Sequence, residues 1–368
     1  MKRQLMAIGT SIALCAALLT GCSGPAPSQG GTDAQASESS QEEGAASTTT
    51  SANATTKENG EQIKIAWIGK TLNNPWWNSV ADFAQREADA LGIELQKSLP
   101  DEEVDLEKQV NMIESAIQKK VDAIVISAAS SDGILPALQK ARDAEIKIVN
   151  FDTRISDPAM YDAFVGGSDE GGAYKAGKYI CEQLNGEGEV AVITGLMAQS
   201  TGVDRYNGFM RACEEYPNIK VVAEPGAEWR SDLAASATES LLIANPNVKA
   251  IFACNDQMAQ GMVSAVQSKG IAPEDLILVG FDGILEAGQL VLSGDLDAFV
   301  ALPNIDEGMV GVRLATALVL HPEYEYNREM IYPTPLVTKD FIEGHSDYTI
   351  YEYMAERFPL YGVSDRGY

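Results

Sequence analysis

Acidic, amide, basic and aromatic side chains recur in this chain directly after short apolar runs, as Asp152, Asn255 and Asp282 do. Carboxylates and amides can grip two neighbouring hydroxyl groups at once, and an arginine donates hydrogen bonds in a fixed fork. Indole rings present flat apolar faces to the C–H side of a small ring. These residue types predict a site for a small polyhydroxylated ligand. The stretches concerned are 70–77, 127–132, 152–154, 199–205, 228–230, 255–256 and 281–283.

The sequence offers few residues for metal, phosphate or nucleic-acid binding. The 368 residues include two histidines, His321 and His345, and neither stands at a spacing typical of metal ligands, so we expect no metal site. Residues 172–178 match a phosphate-binding loop, but Tyr179 replaces the Ser or Thr that would bind magnesium, and we expect no cofactor. The formal net charge of −26 argues against a nucleic-acid partner, because phosphate binding needs a basic surface.

The elements that would position these side chains alternate regularly from residue 63 onward. Short runs rich in β-branched residues alternate with amphipathic stretches, which is typical of βαβ units and a parallel sheet. The pattern runs twice and predicts an α/β fold with two doubly wound parallel-sheet lobes. Predicted strands cover 63–68, 93–96, 123–126, 146–151, 163–165, 190–193, 219–222, 250–253 and 276–279, and predicted helices cover 76–91, 104–119, 133–144, 170–184, 203–216, 231–244 and 257–269.

Ligands of open parallel sheets bind outside the carboxyl ends of the strands. The polar and aromatic stretches all follow predicted strands, so we expect them to line a crevice between the two lobes. A crevice of this kind needs lobes that approach each other from both sides of the ligand.

The order and spacing of several short motifs resemble those of one family. They are Thr71-Leu72-Asn73-Asn74-Pro75, Val121-Asp122-Ala123-Ile124, Ser131-Asp132, Gly167-Ser168-Asp169, Gly208-Phe209, Asn255-Asp256 and Val279-Gly280-Phe281-Asp282-Gly283. Over residues 63–340 the chain resembles a type I periplasmic-binding protein, the sugar-binding subunit of an ABC importer, and is nearest the ribose-binding group. The resemblance implies two lobes joined by a three-segment hinge, which close around one sugar and present it to a permease.

The resemblance also implies a set of ligand contacts. Asn74 stands where the family hydrogen-bonds the sugar, and Trp76 and Trp77 replace paired Phe residues that sandwich its ring. The other matching positions are Asp152, Arg205, Asn255 and Asp282 for polar contacts and Trp229 for an aromatic contact.

Four positions depart from the ribose pattern. Lys70 replaces a small polar residue, Ser127 replaces an amide, Thr153 replaces an arginine with Arg154 adjacent, and Ala301 replaces an amide. Together with the bulkier indoles, these departures make another pentose or hexose, a polyol or a furanone-type signalling sugar candidates beside ribose. Lys70, Ser127 and Thr153 are included among the predicted ligand-binding residues.

Structural roles compete with these ligand roles. Asp152, Asn255 and Asp282 could cap following helices. Trp76 and Trp77 could belong to the core, being at the start of a helix. Because adjacent side chains point about 100° apart on a helix, it could also be that only one of them faces the crevice. The remaining alternatives are a surface ion pair for Arg205, an exposed position for Trp229 and an outward direction for Lys70.

The start of the chain predicts a protein anchored outside the cytoplasm. Lys2 and Arg3 precede an apolar run that ends in Leu19-Thr20-Gly21-Cys22 and resembles a bacterial lipobox. We expect residues 1–22 to be a lipoprotein signal, with lipid attached at Cys22. Residues 23–62 lack hydrophobic periodicity and aromatic residues, which predicts a disordered tether. The expected location is the extracellular face of the cell membrane, or the periplasm where an outer membrane exists.

The predicted organisation of the rest follows the resemblance. The N-terminal lobe would comprise residues 63–166 plus 302–332, and the C-terminal lobe 167–301 plus 333–346. Residues 347–368 would form an aromatic C-terminal extension. Cys181, Cys213 and Cys254 are expected to be small buried residues, with a disulfide between the first two as the alternative.

Three functions from different classes compete. The leading hypothesis is a monomeric binding protein that captures a monosaccharide or small polyol and delivers it to an ABC transporter permease. The alternative is a sensor that presents a sugar or sugar-like signal to a chemoreceptor or sensor kinase. An enzyme would use Asp152 and Asp282 as acid and base on a glycoside. We do not expect an enzyme, because hydroxyl binding already explains both carboxylates.

Overall fold

The computed structural model describes residues 55–323 and 325–344. The predicted signal and lipobox at 1–22, most of the predicted tether and the predicted extension at 347–368 lie outside these residues. Within the described part of the chain, no helix is both long enough and apolar enough to cross a membrane.

The chain alternates strand and helix from its first described strand. The first stretch comprises β1 (Lys64–Ile68), α1 (Pro75–Leu91), β2 (Glu94–Ser98), α2 (Leu106–Gln118), β3 (Ala123–Ile126), α3 (Leu135–Asp143), β4 (Lys147–Phe151) and β5 (Ala163–Gly167). The second comprises α4 (Asp169–Gln183), β6 (Glu187–Ile193), α5 (Ser200–Glu214), β7 (Asn218–Ala223), α6 (Ser231–Ala244), β8 (Val248–Ala253), α7 (Asp256–Ser268), β9 (Ile277–Asp282), α8 (Leu285–Ser293) and β10 (Ala298–Ala301). The last comprises α9 (Asn304–Leu320), β11 (Glu329–Tyr332), β12 (Leu336–Thr338) and α10 (Lys339–Glu343).

Two six-stranded sheets form the centres of two lobes. The first lobe contains the sheet β11-β5-β4-β3-β1-β2, in which every pair of neighbours is parallel. The second lobe contains the sheet β12-β10-β9-β8-β6-β7, which is parallel except for the β10–β12 pair. Central strands such as β3 are buried along their whole length, as continuous apolar runs in parallel sheets should be. The predicted α/β fold with two parallel-sheet lobes is confirmed.

Three segments connect the lobes. The chain crosses between β5 and α4, between β10 and α9, and between β11 and β12, because α9 packs on α1 and on the first sheet. Backbone bonds run between these segments: the Ser168 amide donates to the Tyr332 carbonyl (3.2 Å), and the Ala301 amide at the end of β10 donates to the Pro335 carbonyl (2.9 Å). The crossings therefore lie side by side, as a three-segment hinge requires.

The start of α1 carries side chains to the edge between the lobes. Asn74 caps the helix by accepting a hydrogen bond from the Trp76 amide (2.9 Å), and Pro75 occupies the first turn, where its missing N–H costs nothing. Gly92 ends the helix in the left-handed region at φ 68°. These signals hold the two indoles of the first turn at the carboxyl end of the first sheet.

The cysteines of the described chain are thiols. Cys181, Cys213 and Cys254 are buried and free, so the disulfide considered for the first two is absent from the structure. The neighbouring Cys181 thiol on α4, together with burial, raises the pKa of Cys213 on α5. The stretch 172–178 that matched a phosphate-binding loop lies inside α4.

Candidate functional site

A cavity opens between the lobes at the carboxyl ends of both sheets. About 260 Å³ of its space, which includes volume open to solvent, is not filled by protein atoms. The first lobe contributes Lys70, Asn74, Trp76, Trp77, Glu103 and Asp152, and the second contributes Thr201, Arg205, Trp229, Asn255 and Asp282. Nine of the eleven predicted site residues line this cavity, and the other two, Ser127 and Thr153, lie directly behind it.

Asp152 is the centre of a buried polar cluster in the first lobe. Its Oδ2 accepts hydrogen bonds from Ser127 Oγ (2.9 Å) and Thr153 Oγ1 (2.9 Å) and lies 3.2 Å from Lys70 Nζ. Burial alone would raise the pKa of Asp152, but the charges of Lys70 and Arg205 and the two hydroxyl donors hold it below its usual range. Asp152 is therefore a fixed carboxylate whose Oδ1 accepts no hydrogen bond from the described residues.

Arg205 organises the second lobe's half of the site. Its Nε donates to Asp169 (2.8 Å), and its Nη1 donates to Asp282 (2.8 Å) and to the Cys254 carbonyl (2.7 Å). Burial, partly offset by Arg205, raises the pKa of Asp169 to about 6 and that of Asp282 to about 7. The alternative of a surface ion pair for Arg205 is wrong, since its side chain is 4% exposed.

Three indoles form the apolar wall. Trp76 and Trp77 meet edge to face with ring centroids 4.7 Å apart, and both line the cavity, contrary to the alternative that one would point away. Trp77 Nε1 donates to Glu103 (2.9 Å), and Trp229 is buried rather than exposed. Trp76 Nε1 has no hydrogen-bond partner in the described part of the chain, which leaves a buried donor beside the cavity.

The two asparagines each combine a cap with a cavity position. Asn255 Oδ1 caps α7 by accepting from the Met258 amide (2.8 Å), as Asn74 caps α1. The helix-cap alternative is therefore correct for Asn255, although its side chain also lines the cavity. Asp152 and Asp282 cap no described helix. The alternative that Lys70 points outward is also wrong, because its side chain points into the cavity and is 3% exposed.

Three residues that line the cavity have an unusual backbone conformation. Asp152 (φ 53°), Asp282 (φ 119°) and Trp229 (φ 64°) all have positive φ, which is unusual for a bulky residue such as Trp. Gly195 makes room for the Trp229 ring, because a Cβ at Gly195 would lie 2.1 Å from a ring carbon. Residues held in costly conformations by their surroundings are typical of binding sites.

The sequence prediction missed Glu103, Thr201 and Gln199. Thr201 lines the cavity, and Gln199 lies behind it with bonds to Lys70 (3.1 Å) and Trp229 (2.9 Å). Burial raises the pKa of Glu103, which faces Trp77. Gln199 and Thr201 belong to a stretch already noted after a strand, whereas nothing in the acidic run 101–103 distinguishes Glu103. No cluster of three or more His, Cys, Asp or Glu suited to a metal occurs among residues 55–323 and 325–344.

Comparison with known proteins agrees with this architecture. The D-allose-binding periplasmic protein of Escherichia coli K12 is 32% identical over 258 residues, which cover 68% of this chain and 83% of that protein. The ribose import binding protein of Salmonella typhimurium is 31% identical and covers 74% of this chain and 88% of its own length.

Solved structures give the same result. An ABC transporter periplasmic solute binding protein from Actinobacillus succinogenes 130z, with bound D-allose, is 30% identical. It superposes with a TM-score of 0.72 over 77% of this chain and 100% of that one. The family model described as a periplasmic binding protein domain matches residues 65–322. Since that match spans well over half of the 368 residues, the chain belongs to the periplasmic binding protein family.

Proposed function

We propose that this protein captures one small sugar between its lobes and delivers it to the permease of an ABC importer. The observation that carries the proposal is the cavity whose walls come from both lobes. A ligand that touches both walls binds the closed form better than the open form, so binding shifts the population towards closure.

Different residue types would contact different parts of the sugar. Asp152 Oδ1 and the second oxygen of Asp282 would accept hydroxyl protons, while Arg205 and the Asn74 amide would donate to ring and hydroxyl oxygens. The indoles would cover the C–H faces of the ring. Ser127 and Thr153 would act through Asp152, since their hydroxyls donate to its carboxylate.

The ligand class follows from the cavity lining and the relatives. Carboxylate, amide and guanidinium groups beside indole rings suit a small ring that carries several hydroxyl groups. Relatives at 30–32% identity are named for D-allose, ribose or D-apiose. We therefore propose an aldohexose or aldopentose, with a related polyol as the next candidate.

A ligand screen of the purified protein tests this function. Melting temperature is measured with D-allose, D-ribose, other pentoses and hexoses, and polyols, and each hit is titrated by calorimetry. A ligand at 100 times its dissociation constant stabilises the folded state by about 2.7 kcal/mol, which gives a visible shift. No heat and no shift with any of these compounds would contradict the proposal.

Experiments in cells can distinguish transport from sensing. The named relatives are import or periplasmic binding proteins, which favours the importer. Charge-reversing substitutions on the outer faces of both lobes should abolish uptake of the radiolabelled sugar while calorimetry shows unchanged affinity. Normal uptake by such variants, with loss of a chemotactic or kinase response, would favour the sensor.

We propose that the chain has no enzymatic activity, because Asp152 and Asp282, the two carboxylates that could act as acid and base, are paired with Lys70 and Arg205. Chromogenic glycosides incubated with the protein should release no dye. Measurable turnover that disappears in Asp282→Asn would overturn this proposal.

We propose lipid attachment at Cys22, a tether at 23–62, the lobe boundaries given above and a monomeric state. The lipobox-like sequence supports the anchor. Labelled palmitate should enter the wild-type protein but not Cys22→Ser, and light scattering should give the mass of one chain.

A further inference from the structure

One segment of the second lobe reaches across the cleft. It comprises residues 198–201 at the start of α5, and we call it the cross-lobe segment. The Ser131 amide donates to the Ala198 carbonyl (3.0 Å), and the Ser200 amide donates to Ser131 Oγ (3.0 Å). The Arg154 amide donates to Ser200 Oγ (2.8 Å). The segment thus joins two loops of the first lobe, those that follow β3 and β4.

Gln199 is the most deeply buried link in this segment. Its side chain is fully buried, and its Nε2 donates to the Ala129 carbonyl (3.1 Å) of the first lobe. Its Oε1 accepts from Lys70 Nζ of the first lobe (3.1 Å) and from Trp229 Nε1 of the second (2.9 Å). One amide therefore connects side chains that form opposite walls of the cavity.

These bonds depend on closure. Gln199 stands at the N-cap position of α5 but makes no side-chain cap bond, so its polar atoms are committed to the network across the cleft. Opening the lobes would break its bonds to Ala129 and Lys70. Breaking them leaves polar groups to be re-solvated, and each such bond stabilises the closed form to a modest degree.

We infer that Gln199 is a positioning residue of the sugar site and that the cross-lobe segment holds the closed form together, partly independently of the ligand. This inference rests on the proposed function for its effect on sugar affinity. Gln199 fixes the positions of the Lys70 and Trp229 side chains relative to each other, although it does not line the cavity itself. The apparent affinity of a closing protein scales with its closed fraction, so losing the network weakens binding chiefly through faster release.

Two measurements on the full chain test the inference. In hydrogen–deuterium exchange without sugar, the amides of Ser131, Arg154 and Ser200 report closure, because their bonds join the lobes. In Gln199→Ala we expect these amides to exchange about tenfold faster, while amides inside β3 stay unchanged. With D-allose, or the sugar that the screen identifies, we expect the dissociation rate to rise about tenfold and the association rate to change little.

Matched variants separate positioning from loss of structure. Gln199→Glu keeps the acceptor for Lys70 and Trp229 but loses the amide that donates to the Ala129 carbonyl, so its dissociation rate should fall between those of the wild-type protein and Gln199→Ala. Gln257→Ala removes another bond between the lobes, from Gln257 Nε2 to the Asn73 carbonyl (2.8 Å), which reaches no cavity-lining side chain. It should change the dissociation rate by less than about threefold.

The inference is overturned if Gln199→Ala shifts neither exchange nor release, or if Gln257→Ala shifts both as strongly. If the wild-type protein binds no sugar at all, the proposed function fails. The exchange experiment without ligand still decides whether the segment holds the lobes together.

Discussion

At the scale of single residues, the site is built from charges that offset one another. Asp152 is stabilised as a carboxylate by Lys70, whereas burial raises the pKa of Asp282 to about 7 despite Arg205. The two carboxylates therefore offer unlike acceptors on opposite walls.

Asp282→Asn should weaken sugar binding by about tenfold or more, because an acceptor in a buried charge-assisted bond becomes a neutral amide. Arg205 keeps its bond to Asp169, so the fold should survive. Calorimetry measures the affinity, with the exposed Asp275→Asn of the same lobe as control. Equal affinity in the two variants would show that Asp282 does not contact the sugar.

Gly195→Ala should displace Trp229, since the new Cβ would lie 2.1 Å from its ring. We expect weaker sugar binding and altered tryptophan fluorescence, both without loss of secondary structure. Gly226→Ala is the control, because its Cβ would find Thr194 Oγ1 at an ordinary 3.7 Å. A Gly195→Ala protein that binds as well as wild type would mean that the Trp229 ring is not a wall of the site.

The residues that the sequence did not reveal share a physical reason. Gln199 lies in the predicted strand-end stretch 199–205, but it binds partners 129, 70 and 30 positions away in the chain, so the local sequence does not single it out from its neighbours. Glu103 reaches Trp77 only because of the path that the chain takes after β2. In contrast, Asp152 and Asn255 were predictable, because strand ends of a parallel sheet meet at one edge.

At the scale of elements, the local sequence predicted the helices and strands whose own residues favour that structure. The limits of β3 and α6 match the predicted 123–126 and 231–244. The short edge strands β11 and β12 were not predicted, since strands of 4 and 3 residues depend on their neighbours rather than on their own propensity. α5 begins at Ser200 and not at the predicted residue 203, because Gln199 gives no side-chain cap signal.

Gly208→Ala should separate α4 from α5, because the new Cβ would lie 2.2 Å from the Glu170 carbonyl oxygen, which belongs to the backbone and cannot move aside cheaply. We expect a loss of about 1–3 kcal/mol in the free energy of unfolding. Gly288→Ala in α8 meets nothing within 4 Å and should stabilise by up to about 1 kcal/mol. Denaturant titration of both variants checks the opposite signs, and equal effects would contradict the packing argument.

At the scale of the whole molecule, acidic groups lie inside a chain whose formal net charge is −26. Burial raises the pKa of Asp306 to about 7, and it raises the pKa of Glu307 well above its usual value. Both belong to the first turn of α9, directly after a hinge segment, and neither Glu307 oxygen has a hydrogen-bond partner among the described residues. Both the hinge and the cavity therefore contain buried carboxyl groups that bind protons more tightly in the folded state than in the unfolded state.

The protein should consequently be more stable at about pH 5.5 than at about pH 8. An acid whose folded pKa exceeds its unfolded pKa binds more protons when folded between the two values, so stability falls as pH rises through that window, here from about 4 to about 7. We expect the melting temperature to differ by at least about 2–4 °C. Asp306→Asn combined with Glu307→Gln should reduce the dependence without abolishing it, because Asp169 and Asp282 keep their raised pKa values.

High salt separates this effect from surface repulsion, because salt screens exposed charges much more than buried ones. The difference in melting temperature should therefore persist in roughly 1 M salt, where the Debye length falls to about 3 Å. If the difference vanishes in salt but survives the double substitution, repulsion among surface carboxylates causes it. In that case the acids beside the hinge are not the groups that bind the protons.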